Sequence, residues 1–328
     1  MSCLSPNYMR PPTPEEVKAN GNKWKFGGKN PGHFFPVNTE TGEAFEFIPV
    51  PCGKCLACRL AYSREWANRI VCESFNYPKE LCWFITLTYN PESEPLLLND
   101  KGILSLQRVH IQNFKKRLRS YYKRNYNHVG IRTFECGEYG TRTLRPHFHI
   151  ICFNLPIDDK EYFFTNELGD LVYKSSLIEK LWGYGQISIG ELNYKTASYT
   201  ARYVMKKQKG YDAQIYADME ITPPFVSMSL RPGIGANYCA DNMEDIYSND
   251  KLYLPMGRVV SPSRYFDKKY ALKYGQSELD RIKAKRRELM ALQQEFELSQ
   301  TNLSEEDYFK VKEEKLHNNA KKLIRALD

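Results

Sequence analysis

The sequence predicts an α+β fold: a central antiparallel sheet with helices on one face, followed by a helical extension. Strand-like and helix-like segments alternate along the 328 residues, and residues 129–153 have the pattern of a β-hairpin. A hydrophobic fraction of 42% supports a substantial core. There is no apolar run of about eighteen residues and no basic-then-apolar leader, so neither a membrane span nor a signal peptide is expected.

The first half of the chain begins with a predicted loop-rich arm over residues 1–50, which are rich in Pro, Gly and Asn. A helix is predicted over 56–76. Residues 82–89 are apolar and β-branched and end at Asn90-Pro91, a pattern typical of a buried strand that runs into a turn. Ser105 is a candidate N-cap for a basic helix over 106–124.

The second half continues the alternation and ends in charged helices. The predicted elements are strands over 129–136 and 147–153, a helix over 175–183, a strand over 186–191 and a helix over 195–208. We therefore predict an arm over 1–50, a central domain over 51–211, an irregular extension over 212–275 and helices over 276–328. The five prolines between residues 212 and 265 are the reason for expecting irregular structure there.

The charge distribution favours a nucleic-acid partner. The net charge is +8, and residues 101–134 hold nine Lys or Arg and no carboxylate, while residues 192–211 hold five and again none. Cations interleaved with tyrosines suit a phosphate backbone with unpaired, stacked bases. The candidate DNA contacts are Lys115, Lys116, Arg117, Arg119, Arg202 and Lys207.

A pair of histidines forms the most informative motif, Pro146-His147-Phe148-His149. Successive side chains of a strand point to opposite faces, so the two imidazoles share one face and Phe148 lies on the other. Two imidazoles side by side on a strand form half of a divalent-metal site.

The third metal ligand is expected from the preceding strand. Glu138 is the candidate, because it lies in Gly137-Glu138-Tyr139-Gly140 at the end of the strand that pairs with the histidine strand. Glu135 is the alternative, and its parity is opposite to that of Glu138, so only one of the two faces the histidines. Imidazole and carboxylate ligands suit Mn²⁺ or Zn²⁺, and Mg²⁺ serves when it also binds phosphate.

A tyrosine pair follows about fifty residues later. Tyr199 and Tyr203 are four residues apart and share one face of a helix, and Lys206 borders that face. A tyrosine with its usual pKa of about 10 is a weak nucleophile. A neighbouring ammonium favours the phenolate and activates it.

The order of these motifs resembles the HUH endonuclease superfamily, in particular the replication initiation proteins of single-stranded DNA phages (Microviridae, gokushovirus branch). The matching motifs are Phe84-Ile-Thr-Leu-Thr-Tyr89, Pro146-His-Phe-His149 and the tyrosine helix. Pro51-Cys-Gly-Lys-Cys55 and Gly137-Glu-Tyr-Gly140 are also similar to that phage group. The resemblance covers about residues 50–210.

The resemblance implies a fold, a reaction and a set of roles. The implied fold is the same antiparallel sheet with helices, and the implied activity is rolling-circle initiation, in which a tyrosine attacks single-stranded DNA at the origin and keeps the 5′ phosphate. Tyr203 fits the family pattern Tyr-apolar-x-Lys through Val204 and Lys206, whereas Tyr199 has Arg202 in the lysine position. Tyr203 is therefore the expected first nucleophile and Tyr199 the second.

The implied cofactor and partners follow from the same reaction. Mg²⁺ or Mn²⁺ is expected at the histidine pair, single-stranded DNA is the substrate, and host polymerase and helicase are expected partners in the cytoplasm of a bacterial cell. Gly-x-x-x-x-Gly-Lys-Ser/Thr is absent from the sequence, so no nucleotide cofactor is expected.

A cysteine cluster, Cys52-Gly-Lys-Cys55-Leu-Ala-Cys58, indicates a structural zinc site. The chain has nine cysteines, an odd number, and no sign of secretion, so thiols or metal ligands are expected rather than disulfides. An iron–sulfur cluster would also need a fourth ligand. The candidates for that fourth position are His33, Cys72 and Cys3.

Two other interpretations remain at this point. Within the superfamily, the chain could be a plasmid initiator, a relaxase or a transposase. Outside it, a basic, zinc-containing nucleic-acid-binding protein without catalysis fits the charge and the cysteines. A tyrosine recombinase would need an Arg-rich catalytic set and no histidine pair. A denaturing gel separates these classes, because an HUH enzyme stays covalently attached to a cut strand.

Overall fold

The computed structural model describes residues 3, 6–20, 24–28, 42, 47–140, 143–202 and 211–321. Two compact units are present. The first combines the residues up to Ala61 with those from Ala284 onward, and the second comprises Tyr62–Lys283. None of the described helices combines the length and the apolar character that a bilayer crossing requires.

The first unit contains a three-stranded antiparallel sheet with the order β2-β1-β3. Its elements are β1 (Asn7–Arg10), α1 (Pro14–Asn20), β2 (Lys25–Gly28) and β3 (Ile48–Val50). In the β1–β3 ladder, Asn7 lies opposite Val50. Helix α2 (Leu56–Ser74) begins in this unit and ends in the second.

The second unit contains a seven-stranded sheet in which every neighbouring pair is antiparallel. The strand order is β10-β5-β6-β4-β9-β8-β7. Its strands are β4 (Trp83–Thr88), β5 (Arg132–Tyr139), β6 (Pro146–Phe153), β7 (Lys160–Thr165), β8 (Leu171–Ser175), β9 (Ile187–Glu191) and β10 (Phe225–Met228). The predicted α+β class with a central antiparallel sheet is confirmed.

Helices follow the strands throughout this unit. They are α3 (Arg108–Tyr126), α4 (Ser176–Trp182), α5 (Tyr194–Arg202), α6 (Tyr211–Asp218), α7 (Ala236–Asp241), α8 (Met243–Ser248) and α9 (Arg264–Tyr274). A small hairpin of β11 (Leu252–Leu254) and β12 (Arg258–Val260) precedes α9. The predicted helical C-terminal extension is confirmed by α10 (Gln276–Ser299) and α11 (Glu305–Lys321).

Helices cover both faces of the large sheet. On one face, Ile85 of β4 belongs to a core with Phe114 of α3 and Trp182 of α4. On the other face, Phe84 belongs to a core that includes residues of α2, α5 and α7–α9. The expectation of helices on one face is therefore wrong. The apolar run at the end of β6 is buried at consecutive positions, so both of its faces need a cover.

Two further expectations are corrected by the structure. Residues 212–275 are not irregular: they contain α6, β10, the β11–β12 hairpin and α7–α9, because their five prolines lie between short elements rather than within them. Ser105 does not cap α3, whose N-cap residue is Gln107; the Ser105 hydroxyl accepts a hydrogen bond from Thr222 N at 2.9 Å. The predicted domain boundaries at 50, 211 and 275 stay a prediction.

Candidate active site and a second metal-binding cluster

The register of β4, β5 and β6 brings the predicted metal ligands to one face of the sheet. Glu138 of β5 lies opposite His147 of β6, and His149 lies opposite Thr86 of β4. Directly opposite residues of an antiparallel pair have their side chains on the same face. These four side chains therefore point toward the face that α5 covers.

Glu138 contacts both imidazoles through a single oxygen. Its Oε1 lies 3.1 Å from His147 Nε2 and 3.1 Å from His149 Nε2. One ligand atom from each residue lies within 4.8 Å of the other two. The side chains of Glu138 and His149 are almost fully buried, whereas that of His147 is 13% exposed. Solvent therefore reaches this group at His147.

The outer nitrogens of the two imidazoles also have partners. His147 Nδ1 lies 3.2 Å from the carbonyl oxygen of Arg145, and a carbonyl can only accept, so we assign the proton to Nδ1. In the neutral ring, Nε2 is then an acceptor that faces a carboxylate oxygen. A positive charge between these two acceptors removes their repulsion. His149 Nδ1 is held in the same way by the Thr86 hydroxyl at 3.1 Å.

The Glu138 carboxyl is ionised at neutral pH. Burial acts to raise its pKa, but the hydrogen bonds to His147 and His149 outweigh burial, and the pKa lies well below its usual range. The group thus offers one carboxylate and two imidazole nitrogens, which are ligands that Mn²⁺ and Zn²⁺ accept readily.

Glu135 lies on the opposite face of the same strand. It is opposite Ile150 in the β5–β6 ladder, is fully buried and pairs with Lys115 Nζ of α3. The structure therefore brings Glu138, and not Glu135, to the histidines. The parity argument from the sequence separates the two carboxylates without a bulge.

Tyr199 is the described tyrosine of the predicted pair, and its hydroxyl lies 3.4 Å from His149 Nε2. Helix α5 begins at a reciprocal cap, in which Thr196 N donates to Asn193 Oδ1 at 3.0 Å and Asn193 N donates to Thr196 Oγ1 at 2.9 Å. This start directs Tyr199, which is 3% exposed, toward the sheet. Phe84 stacks on the other side of His149 with ring centroids 5.4 Å apart.

The rest of the tyrosine motif lies mostly outside the described residues. Tyr203, Lys206 and Lys207 fall in 203–210 and have no structural account. Arg202 is described, and its guanidinium carbon lies 5.4 Å from the centre of the Tyr199 ring. The catalytic roles of these residues stay predictions.

The basic helix α3 lies on the face of the sheet opposite the histidines. Three of its four candidate DNA contacts donate to acceptors of the protein itself. Lys115 pairs with Glu135, Arg117 donates to the carbonyls of Leu181 and Trp182 at 2.7 and 2.8 Å, and Arg119 donates to the carbonyl of Ile131 at 3.1 Å. Lys116 is exposed. DNA contact by α3 stays a prediction, and Lys116 is its best-placed member.

The first unit contains a second group of metal-ligating side chains, which consists of Cys3, Cys52, Cys55 and Cys58. Cys3 Sγ lies 3.9 Å from Cys55 Sγ, and Cys52 Sγ lies 4.0 Å from Cys58 Sγ. Of the other candidates for the fourth position, Cys72 is buried in the core of the second unit, and His33 lies outside the described residues.

The thiols of this cluster differ in acidity. Burial acts to raise the pKa of Cys52, but hydrogen bonds from the backbone N–H groups of Cys55 and Lys54 lower it to about 6. Burial raises the pKa of Cys58 to about 12. Without a cation the cluster therefore holds a mixture of thiol and thiolate.

Sequence reasoning missed two kinds of supporting contact. The alternation of Thr86 and Thr88 along β4 shows that they share a face, but only the register of β4 with β6 reveals that Thr86 binds His149. The carbonyl of Arg145 carries no signal in the sequence at all. The choice of Cys3 as the fourth thiol depends on the β1–β3 ladder, which no local pattern predicts.

The fold and this site define a class of protein in which a His-x-His strand, a neighbouring glutamate and a tyrosine helix meet on one face of an antiparallel sheet. Residues 82–208 match the family model of the replication-associated protein ORF2. The chain is 38% identical over 284 residues to replication-associated protein ORF2 of Spiroplasma virus 4, with 85% of each chain covered. The chain belongs to this family of replication-associated proteins, as the sequence motifs predict.

Two other relatives come from phages as well. Replication-associated protein VP4 of Bdellovibrio phage phiMH2K is 32% identical over 249 residues, covering 74% of this chain and 75% of its own length. Replication-associated protein ORF4 of Chlamydia phage 1 is 29% identical over 164 residues, covering 49% of this chain and 39% of its own. No solved structure matches the chain significantly.

Proposed function

We propose that this protein is the rolling-circle replication initiator of a single-stranded DNA phage, which nicks and rejoins single-stranded DNA at the origin through a 5′-phosphotyrosine. The observation that carries the proposal is the meeting of Glu138, His147 and His149 with the Tyr199 hydroxyl 3.4 Å from His149. Membership of the replication-associated family supports the same conclusion.

The donor set fits a divalent cation. Two imidazole Nε2 atoms and one ionised carboxylate oxygen converge, and the outer nitrogen of each ring has an orienting partner. We assign Mg²⁺ or Mn²⁺ to this group, with Glu138, His147 and His149 as its protein ligands. A cation bound there would stabilise the charge that develops on the scissile phosphate.

The reaction is a transesterification. The tyrosine oxygen attacks phosphorus, a tyrosyl O–P bond forms, and the P–O3′ bond breaks. The tyrosine loses its proton and the departing O3′ gains one, which frees a 3′-OH for the host polymerase. Because the new ester keeps the energy of the broken linkage, rejoining needs no nucleotide cofactor. Lys206 is the proposed cation that favours the phenolate of Tyr203.

Two tyrosines allow two successive cuts. We assign the first attack to Tyr203, which matches the family pattern, and the second to Tyr199. The second cut, one genome length later, then occurs while the first 5′ end is still attached. Arg202, Lys207 and Lys116 are the proposed phosphate contacts. A separate host helicase would open the duplex in the bacterial cytoplasm.

The deciding experiment uses labelled single-stranded oligonucleotides that tile the genome encoding the chain. The protein is incubated with Mn²⁺ or with chelator and analysed on a denaturing gel. We expect a covalent adduct with Mn²⁺ only, its loss in Tyr203→Phe with DNA binding retained, and its persistence in the control Tyr194→Phe, whose hydroxyl bonds Asn68 Oδ1 at 3.1 Å.

Each other outcome has a defined meaning. If Tyr199→Phe abolishes the first cut and Tyr203→Phe does not, the two assignments are reversed. Binding without any adduct at any tile supports the non-catalytic DNA-binding alternative. An adduct that forms equally well in chelator removes the metal from the proposal.

A further inference from the structure

The backbone of the first unit brings Cys3 to the cysteine motif. In the antiparallel β1–β3 ladder, Asn7 lies opposite Val50 and Met9 opposite Ile48. Cys3 precedes β1 and Cys52 follows β3, so both lie beyond the same end of that ladder. The backbone N–H of Cys52 donates to Cys3 Sγ at 3.3 Å, although the two residues are 49 positions apart.

Local turns then place the remaining two thiols. Gly53 has φ +72°, a left-handed conformation that glycine adopts without strain, and it reverses the chain between Cys52 and Cys55. Cys55 directly precedes α2, and Cys58 lies in the first turn of that helix, three residues on. Residues three apart share a helix face, so both sulfurs point to the same place.

The spacing of the sulfurs fits one metal ion. A tetrahedral site with Zn–S bonds of about 2.3 Å has sulfurs about 3.8 Å apart. The two measured separations are 3.9 and 4.0 Å, and all four sulfurs lie within 4.8 Å of one another. These distances are far longer than a disulfide bond of about 2.05 Å. The space between the sulfurs suits a single ion rather than a cluster of several irons.

The surroundings of the sulfurs also suit thiolates. Backbone N–H groups of Lys54 and Cys55 donate to Cys52 Sγ at 3.4 and 3.3 Å, in addition to the bond that Cys3 Sγ accepts. Cys3 and Cys58 are buried, which keeps two of the four sulfurs away from water.

We propose that Cys3, Cys52, Cys55 and Cys58 bind one Zn²⁺ in a closed, four-thiolate site that joins the N-terminal strand pair to the start of α2. Each thiol releases its proton as the ion binds. Four protein ligands leave no open position on the ion, so the site stabilises the fold and takes no part in phosphodiester chemistry. The proposal does not depend on the nicking reaction.

The first test counts ligands in the full-length chain. The variant His147→Ala/His149→Ala removes the other metal group, so any remaining zinc reports on the thiols. We expect about one zinc per chain by elemental analysis, and X-ray absorption at the zinc edge should show four sulfurs at about 2.3 Å. Iron in place of zinc, fewer than four sulfurs, or no bound metal would overturn the proposal.

The second test identifies Cys3 as the fourth ligand. Cys3→Ala, made in the same double-histidine background, should lose most of its zinc to a competing chelator under conditions in which the parent retains about one ion. Cys239→Ala is the matched control, because Cys239 is also buried but lies in the core of the second unit. Full zinc retention by Cys3→Ala contradicts the assignment. If Cys3→Ala fails to fold, the sulfur count in the parent decides the question.

Discussion

The two faces of the large sheet each bury one glutamate of strand β5, and the two carboxylates have different partners. Glu135 lies on the α3 face with the ammonium of Lys115, and Glu138 lies on the α5 face with two imidazoles. A lysine already neutralises its carboxylate. Two imidazoles oriented from behind through their Nδ1 atoms leave the negative charge available for a further cation. The partners of a buried carboxylate thus distinguish a structural ion pair from a metal site.

The largest expected effect comes from removing the charge on the metal side. Glu138→Gln keeps the shape of the side chain but leaves a neutral ligand, and loss of several kcal/mol of transition-state stabilisation lowers the nicking rate by about 1,000-fold or more. The measurement is the single-turnover rate of covalent adduct formation with Mn²⁺. Wild-type nicking by Glu138→Gln would remove this carboxylate from the proposed metal site.

On the other face, the expected effect is on folding. Lys115→Met leaves the Glu135 carboxylate buried without its cation, and breaking a buried pair in this way lowers the free energy of unfolding by about 3–5 kcal/mol. Urea denaturation measures the change. Lys116→Met is the control, since Lys116 is exposed on the same helix and its replacement should change stability by about 0.5 kcal/mol or less. Equal midpoints for the two variants would show that the Lys115–Glu135 pair is not structural.

These two glutamates also show how far the sequence reaches. The period of two along a strand is a local rule, so the sequence alone separates Glu138 from Glu135 and places both histidines on one face. The partners of α3 cannot be read in the same way. Lys115 and Arg117 look alike in a basic segment, yet their acceptors lie 20 and 64–65 residues away and depend on how α3 packs.

The cover of the sheet was missed for a related reason. The alternation around His147 and His149 suggested one polar face, but the same strand ends in an apolar run that packs on both sides. Cys3 is a further case, because its place beside Cys52 follows from strand pairing across 49 residues. Local patterns therefore fix which residues share a face, and long-range packing decides what each face contacts.

A smaller effect is expected at the support of the imidazoles. Thr86→Val removes the hydroxyl that holds His149 Nδ1, and loss of such a partner weakens metal affinity by about 10- to 100-fold. Nicking should therefore fall at low Mn²⁺ and recover at high Mn²⁺. Thr88→Val is the matched control on the same strand, because its hydroxyl donates to the Gln186 carbonyl at 2.9 Å. An unchanged Mn²⁺ dependence in Thr86→Val would leave the hydroxyl without an orienting role.

The smallest expected effect concerns DNA binding by α3. Lys116 is exposed while its neighbour Lys115 pairs with Glu135, so only Lys116 of these two is free to approach a phosphate from solvent. If it does, Lys116→Met reduces the slope of log affinity for single-stranded DNA against log salt by about 0.7. Titrations at several salt concentrations measure that slope. An unchanged slope would indicate that the basic segment of α3 serves the fold and that the DNA follows the histidine face alone.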